Sequence, residues 1–298
     1  MIKGIDVSIW NGNINWNLVK TDGIEFAMIR SSYGDGSSEF INNGVDEKFD
    51  YNYEEAGKVG INRGVYHYCY ATSIKEAEEE AYFFLSRIKG KVFEYPVILD
   101  IEDDKVQGHL GKKLLTEISK RFLEIIECNG YYVGIYSSRY WFDNFLEMKK
   151  LSMYDTWLAE WTSNPGYAGN YGIWQYTSVG SVSGIDGYVD MNISYEDYPE
   201  IMKSAGLNGF KKGSLIEKTQ EYDLVCYSDH ADRMSAEILA NALNLPLFYN
   251  KHGLSGLGEF TRIIHVGIYK GNENRIKKVL SGKNRFETNG LVLKEIYK

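Results

Sequence analysis

From the first residues, short apolar runs alternate with longer stretches in which apolar positions recur at helical spacing. The runs Ile2–Val7, Phe26–Ser31, Arg63–Tyr70, Tyr95–Ile101, Tyr132–Ser137, Thr156–Trp161 and Gly172–Tyr176 are predicted as strands. Most are continuous apolar runs of four to eight residues, as expected for strands covered on both faces. Helices are predicted over Val45–Val59, Ile74–Ile88 and Leu110–Cys128. In the second, Ala77, Ala81, Phe84, Leu85 and Ile88 share one face, and Thr72 and Ser73 are candidate caps. Strand alternating with helix over roughly 200 residues predicts a parallel α/β barrel, with chemistry at the C-terminal ends of the strands.

Beyond residue 200 the pattern pauses and restarts. Residues 201–213 (IMKSAGLNGFKKG) are rich in Gly and Lys, lack a clear period and are expected to form a linker. Strands are predicted at Asp223–Tyr227, Leu247–Tyr249 and Arg262–Ile268, with helices at Asp232–Asn244 and Asn274–Leu280. The expected organisation is a barrel over 1–200, a linker over 201–213 and a small α/β domain over 214–298. A domain that small is near the lower limit for independent stability.

Charge reinforces this division. Of the 33 basic and 41 acidic residues, 21 and 31 lie in 1–212, whereas 213–298 holds 12 and 10. An acidic first part argues against nucleic acid as the main partner. Three widely spaced cysteines, Cys69, Cys128 and Cys226, offer neither a disulfide framework nor a metal pair. No apolar run reaches the ~20 residues of a membrane span, and the N-terminal MIKGIDVSIW lacks the features of a secretory signal. The expectation is synthesis in a reducing cytoplasm, without membrane insertion and without a cofactor.

Candidate chemistry begins at YPVILDIE, Tyr95–Glu102. Strand residues two apart face the same way, so Asp100 and Glu102 are expected to project together into the mouth of the barrel. Neighbouring carboxylates cannot both ionise freely, and the raised one can serve as an acid, as glycoside hydrolysis requires. Asp6 ends the first predicted strand, and Asp190 follows the glycine-rich GSVSGIDGYVDMN turn. Taken alone, each acid reads first as a cap or turn residue. Four at strand ends are costly to gather without a purpose. Trp10, Tyr33, Tyr66, Tyr68, Tyr136, Trp161, Trp174 and Tyr176 crowd the same ends; aromatic faces suit sugar rings, although core packing accounts for about half of such rings. Arg30 and His67 also end strands. A lone His is usually structural, so His67 carries no catalytic expectation, while Arg30, Trp161 and Trp174 join the substrate-binding candidates.

The blocks GIDVSIWNG, RSSYGDG, GVYHYCYA, VILDIE, GYYVGIYSS, WLAEWT and IWQYTSVGSVSGIDGYVDMN, in this order, resemble glycoside hydrolase family 25, the lysozyme-type muramidases of phages and bacteria. The resemblance covers about 1–200. It implies an irregular (β/α) TIM-like barrel cleaving the β-1,4 bond between N-acetylmuramic acid and N-acetylglucosamine of peptidoglycan. It assigns Glu102 as proton donor, Asp100 as partner carboxylate, and Asp6 and Asp190 as further acids of the site. Tyr66, Tyr136 and Gln175 match positions near its sugar subsite. Either a carboxylate or the substrate's acetamido group can attack in this family; two acids on one strand favour the acetamido version. Glu160 and Trp161 depart from the residues that relatives often carry. Alternatives are a bacterial autolysin of the same activity, a sugar-binding barrel without turnover, and a chitinase-like barrel.

In the second part, DHADRMSAEILANALNLPLFYN, RIIHVGIYKGNENRIKKVL and SGKNRFETNG resemble the type 2 cell-wall-binding repeat of clostridial surface proteins. This implies a noncatalytic module for anionic wall polymers, with Arg233, Lys283 and Arg285 as candidate contacts. The spacing of Cys226, His230, His252 and His265 fits no metal site. Relatives carry three packed copies of this repeat, so a single copy predicts a homo-oligomer, trimer or dimer, formed through 214–298. Met202 marks a possible internal start that would release free binding units. Together these features read as an endolysin made in the host cytoplasm and acting on the wall at lysis.

Overall fold

The computed structural model describes residues 1–210 and, beyond them, 224–227, 232–243, 245, 247–249, 263–266, 276–281, 288 and 291–292. The chain divides into two compact units, Met1–Pro199 and Glu200–Lys298. Eight strands close the first into a barrel in sequence order: β1 (Ile2–Val7), β2 (Phe26–Tyr33), β3 (Asn62–Tyr68), β4 (Val97–Asp100), β5 (Val133–Ser138), β6 (Asp155–Ala159), β7 (Ile173–Gly180) and β8 (Val189–Ser194). Helices α1 (Trp16–Thr21), α2 (Phe49–Lys58), α3 (Ile74–Ile88), α4 (Lys112–Cys128) and α5 (Arg139–Asn144) fill the connections up to β6. Ser73 caps α3 by accepting from Glu76 N, and Ala77, Ala81, Phe84 and Ile88 form its buried face. The fold is thus α/β with a closed TIM-like barrel, and the main apolar core lies between strands and helices.

The barrel is not wholly parallel, in keeping with the irregular barrel that the resemblance implies. β7 and β8 pair antiparallel, and β8 closes the barrel antiparallel to β1. Only residues 181–188 connect β7 to β8. A parallel crossover needs a dozen or more residues, so this short connection turns the chain straight back. The strand β8 itself lies in a polar, glycine-rich stretch that gives no apolar run.

Inside the barrel, small residues make room for large ones from neighbouring strands. A Cβ on Gly64 would collide with the Met28 side chain, and one on Gly134 would meet Ile98 Cδ1. Trp157, Tyr66 and Tyr136 pack above this layer, with ring centroids 4.5 Å apart for Tyr136–Trp157 and 5.9 Å for Tyr66–Trp157. They form an aromatic floor on which the polar mouth rests.

Two corrections concern the chain beyond the barrel. The expected linker at 201–213 begins inside a helix, α6 (Tyr198–Ala205), with Ile201, Met202 and Ala205 buried. Gly206, at φ 66°, is the positive-φ residue just past its end, so part of the small-residue composition marks a helix stop. Residues 211–213 lie outside the described residues. Among the described residues, the second unit holds four parallel strands in the order β10 (Leu247–Tyr249), β9 (Leu224–Tyr227), β11 (Ile263–Val266), β12 (Ile276–Leu280), with α7 (Arg233–Leu243) between β9 and β10. The helix expected at Asn274–Leu280 is therefore strand β12. Its hydrogen bonding to β11 overrides a local pattern too short to distinguish the two periods.

Candidate active site

Asp100 is the last residue of β4, and the ladder continues one step past it. Ile101 N donates to Tyr136 O at 3.1 Å, and Ser137 Oγ donates to Ile101 O at 2.6 Å. Because Ile101 remains extended and held by β5, Glu102 emerges on the same face as Asp100. The next turn is fixed from behind: Val106 N donates to Asp103 Oδ1, Tyr68 OH to Asp103 Oδ2, and Trp141 Nε1 to Asp104 Oδ1. Glu102 therefore leaves a rigid base rather than a free loop.

The antiparallel closure brings the other two acids together. Asp6 and Asp190 are direct partners in the β1–β8 ladder, an arrangement that disfavours two like charges. Asp6 Oδ2 accepts from Gln175 Nε2 at 2.9 Å and from Asn192 Nδ2 at 2.7 Å. Gln175 Oε1 in turn accepts from Tyr136 OH at 3.1 Å and Trp161 Nε1 at 3.0 Å, and Asn192 Oδ1 from Trp157 Nε1 at 2.7 Å. A single polar network thus links Asp6 to the aromatic floor and to the rim.

Asp100 is treated differently: it is buried, and its Oδ1 has no hydrogen-bond partner among the described residues. Burial, followed by the charges of Glu102 and Asp6, raises its pKa well above the carboxylate range, against the pull of Arg30. Burial raises Asp6 to about 8, with Asp190 and Glu102 adding to it and the Asn192 and Gln175 hydrogen bonds opposing. Glu102 rises to about 7 through burial and the charges of Asp190, Asp103 and Asp104. Burial raises Asp190 to about 6. The mouth therefore holds protons near neutrality, where free carboxyl groups would have lost them.

Arg30 Nε donates to Asp46 Oδ2 at 2.9 Å, and the same oxygen accepts from Ile9 N at 2.9 Å. Burial weakens this cation, but Tyr66, Asp46 and Asp100 outweigh that and raise its pKa. It is the positive group that opposes the acids. Next to Glu102 opens a groove of about 520 Å³, lined by Tyr136, Arg139, Tyr140, Glu160 and Trp161 among others.

The structure gathers Asp6, Asp100, Glu102, Asp190, Gln175, Tyr136, Tyr66, Arg30 and Trp161 around one mouth. Trp174 is the exception. Gln175 faces the interior, so period-two alternation turns Trp174 outward, where it is buried in the apolar core and donates to Glu160 O at 2.9 Å. Tyr176 packs on it at 5.7 Å. His67 is fully buried between Phe84 and Phe122, bonded to Ser32 Oγ and Glu80 Oε2, away from any groove. Sequence reasoning missed Asn192, Trp157 and Asp46. Asn192 lies two residues from Asp190 on β8, a spacing that signals a shared face. Asp46 joins Arg30 from a loop, and no local pattern announces that pairing.

In the second unit, Arg233 Nε pairs with Glu237 at 2.8 Å, while Cys226 and His265 are buried. His230, His252, Lys283 and Arg285 lie outside the described residues. Among the described residues no cluster of His, Cys, Asp and Glu suits a metal ion, and no helix is long and apolar enough to cross a membrane.

Comparison with known proteins covers the barrel and, in one case, the whole chain. The family model described as glycosyl hydrolases family 25 matches residues 5–185. Lysozyme M1 of Streptomyces globisporus is 30% identical over 209 residues, spanning 64% of this chain and 67% of that protein. The crystal structure of the CTP1L endolysin, which reveals how its activity is regulated by a secondary translation product, aligns over 100% of this chain and 99% of its own, with 26% identity and a TM-score of 0.57. The bacterial lysozyme from Streptomyces coelicolor covers 65% of this chain and 92% of its own, with 28% identity and a TM-score of 0.53.

Proposed function

This chain belongs to glycosyl hydrolases family 25, and from that premise we propose that it cleaves the β-1,4 bond between N-acetylmuramic acid and N-acetylglucosamine in peptidoglycan, with Glu102 as the acid and Asp100 as its partner. The chain is a lysozyme-type glycoside hydrolase, as its relatives are. The observation that carries the residue assignment is the contrast between two acids on one strand end. Glu102 borders the groove and holds a proton to about pH 7, while Asp100 sits deeper with one oxygen unbonded.

In this reading Glu102 gives its proton to the glycosidic oxygen as the bond to the sugar breaks. The substrate's acetamido oxygen attacks the anomeric carbon from the opposite side and forms an oxazolinium ion. Asp100 Oδ1 accepts the acetamido N–H, a hydrogen bond that strengthens as positive charge develops on the ring. Glu102, now a carboxylate, takes a proton from the water that opens the ring, so configuration is retained. The charges of Asp190, Asp103 and Asp104 help keep Glu102 protonated at rest, and Arg30 offsets part of the negative field at Asp100.

Clearing of purified Gram-positive walls tests the assignment: Glu102→Gln should abolish it, and equal clearing by both proteins would remove Glu102 from its role. Mass analysis of the released fragments should show muramic acid at the new reducing end; glucosamine there would point to chitinase-like cleavage instead.

For the second unit the reading is a wall-targeting and assembly module of an endolysin. Its resemblance to a wall-binding repeat supports this, with residues 214–298 docking on anionic polymer and pairing with copies on other chains. Sedimentation of a monomer at micromolar concentration would overturn the assembly. Free units beginning at Met202 would appear in intact-mass spectra as a 202–298 fragment. An autolysin would share the chemistry and differ only in its route to the wall.

A further inference from the structure

One wall of the groove is built by the chain that leaves β6, and this segment is poorly covered. Every residue of 161–170 except Pro165 and Tyr167 is exposed. Segments with so few buried contacts belong to the low-stability end of a fold unless something anchors them. Glu160 is such an anchor, with every polar atom engaged. Its backbone N donates to Gln175 O at 3.1 Å, and its carbonyl accepts from Trp174 Nε1 at 2.9 Å. Its Oε2 accepts from Gly166 N at 3.0 Å and Tyr167 N at 3.2 Å, and its Oε1 from Arg139 Nη1 at 2.8 Å. Arg139 also bonds Asp143 at 3.3 Å and lies against Gly166 so closely that a Cβ there would strike the guanidinium.

The next residue is Trp161. Its indole N–H is spent on Gln175 Oε1, yet its side chain lines the groove and the residue stays 63% exposed. An aromatic face held open, with its polar atom already satisfied, offers stacking and nothing else.

We infer that the Glu160–Arg139 pair is a positioning device: it folds the 162–170 segment back onto α5 so that Trp161 presents its face to a pyranose ring bound beside Glu102. This rests on the muramidase reading above. An exposed ion pair contributes little stability by itself. Here the same carboxylate also gathers two consecutive amides, so its effect is expressed as pre-organisation of the groove wall rather than as stability of the fold.

The test is steady-state cleavage of soluble peptidoglycan glycan by wild type, Glu160→Ala, Arg139→Gln, Trp161→Ala and the Glu160→Ala/Trp161→Ala double variant. The single changes at 160 and 139 should raise KM about five- to tenfold and leave kcat within about twofold. Because Glu160 acts through Trp161, the double variant should bind no worse than Trp161→Ala alone. Unchanged KM in both single variants, a loss confined to kcat, or multiplied losses in the double variant would each overturn the proposal. Should Glu160→Ala melt early, Glu160→Gln carries the same test, since its amide oxygen still serves Gly166 and Tyr167 while the charge facing Arg139 is gone. Binding of the same glycan to Glu102→Gln, read by tryptophan fluorescence, separates this proposal from the cleavage reading. Adding Glu160→Ala to that background should weaken binding about fivefold, and equal binding refutes the device whatever Glu102 does.

Discussion

The barrel buries a carboxylate at each end and treats the two in opposite ways. Asp155 opens β6 at the closed end, 1% exposed, and its oxygens accept from Tyr132 OH at 3.1 Å, Tyr198 OH at 2.8 Å and Thr156 N at 2.8 Å. Asp100 ends β4 at the open end, 4% exposed, with Oδ1 bonded to nothing among the described residues and two other carboxyl groups in its field. A buried carboxyl surrounded by donors ties elements together; here it fixes the start of α6 to the closed end of the barrel. A buried acid left unsatisfied costs stability, and a fold keeps such a group where a ligand completes it. Burial alone therefore does not distinguish these two carboxyl groups; the donors around each one do.

Substitutions at the two ends should therefore fail differently. Glu102→Gln, at the open end, should reduce turnover about 10²- to 10⁴-fold, the range for loss of a general acid, with little change in melting. Asp100→Asn should cost roughly 10²-fold in kcat while the protein melts no earlier than wild type, because a neutral amide matches the uncharged form that burial already favours there. Asp155→Asn should do the reverse. Replacing one of the acceptor oxygens by an amide NH₂ should destabilise the barrel by about 1–3 kcal/mol, with kcat per folded molecule almost unchanged. Calorimetry and kinetics on the three variants check this, and an Asp155→Asn enzyme that is stable but dead would dissolve the contrast.

pH sharpens it. In the proposed mechanism Glu102 acts as an acid, and burial with its acidic neighbours raises it to about 7, so activity should fall as pH rises through 7. The Asp190 charge helps hold that proton, so Asp190→Asn should move the alkaline limb of the rate profile to lower pH. Stability follows the same sign. Asp6, Glu102 and Asp190 have folded pKa values raised to about 8, 7 and 6, so the native state binds protons that the unfolded chain releases near pH 4. Their stabilising contribution is complete below the unfolded values and disappears as pH rises through 6 to 8. The smallest expected effect is Asp6→Asn, which keeps an oxygen for Gln175 and Asn192; at pH 8 it should raise the melting temperature by a few degrees, roughly 2–4 °C per kcal/mol. A melting temperature that climbs between pH 5 and 8 would contradict the assignment of raised acids.

How much of this was legible beforehand depends on whether the determining interaction is local. The strand at Ile2–Val7 and the helix at Ile74–Ile88 match the structure to the residue, because continuous apolar runs and a capped amphipathic stripe are local signals. Asp100 and Glu102 were readable together, since spacing along a strand sets the face. β8 was not readable as a strand, because its register comes from hairpin return and closure onto β1. β12 was mistaken for a helix because Ile276–Leu280 is short and its identity is decided by β11. Trp174 was placed at the site on aromatic character alone; the neighbouring Gln175, had it been used to set the alternation, would have turned it outward. Asp46 and Arg139 reach their partners across loops, where sequence distance carries no geometric information.

The return of β8 between β7 and β1 has a consequence for when the enzyme exists at all. Asp6 is among the first residues of the chain and Asp190 among the last of the barrel, and they face each other only once that final seam is sewn. A ribosome that has released everything through β7 has still produced no complete acid quartet, so the chemistry proposed for those acids arrives abruptly, at the moment the circle of strands is joined.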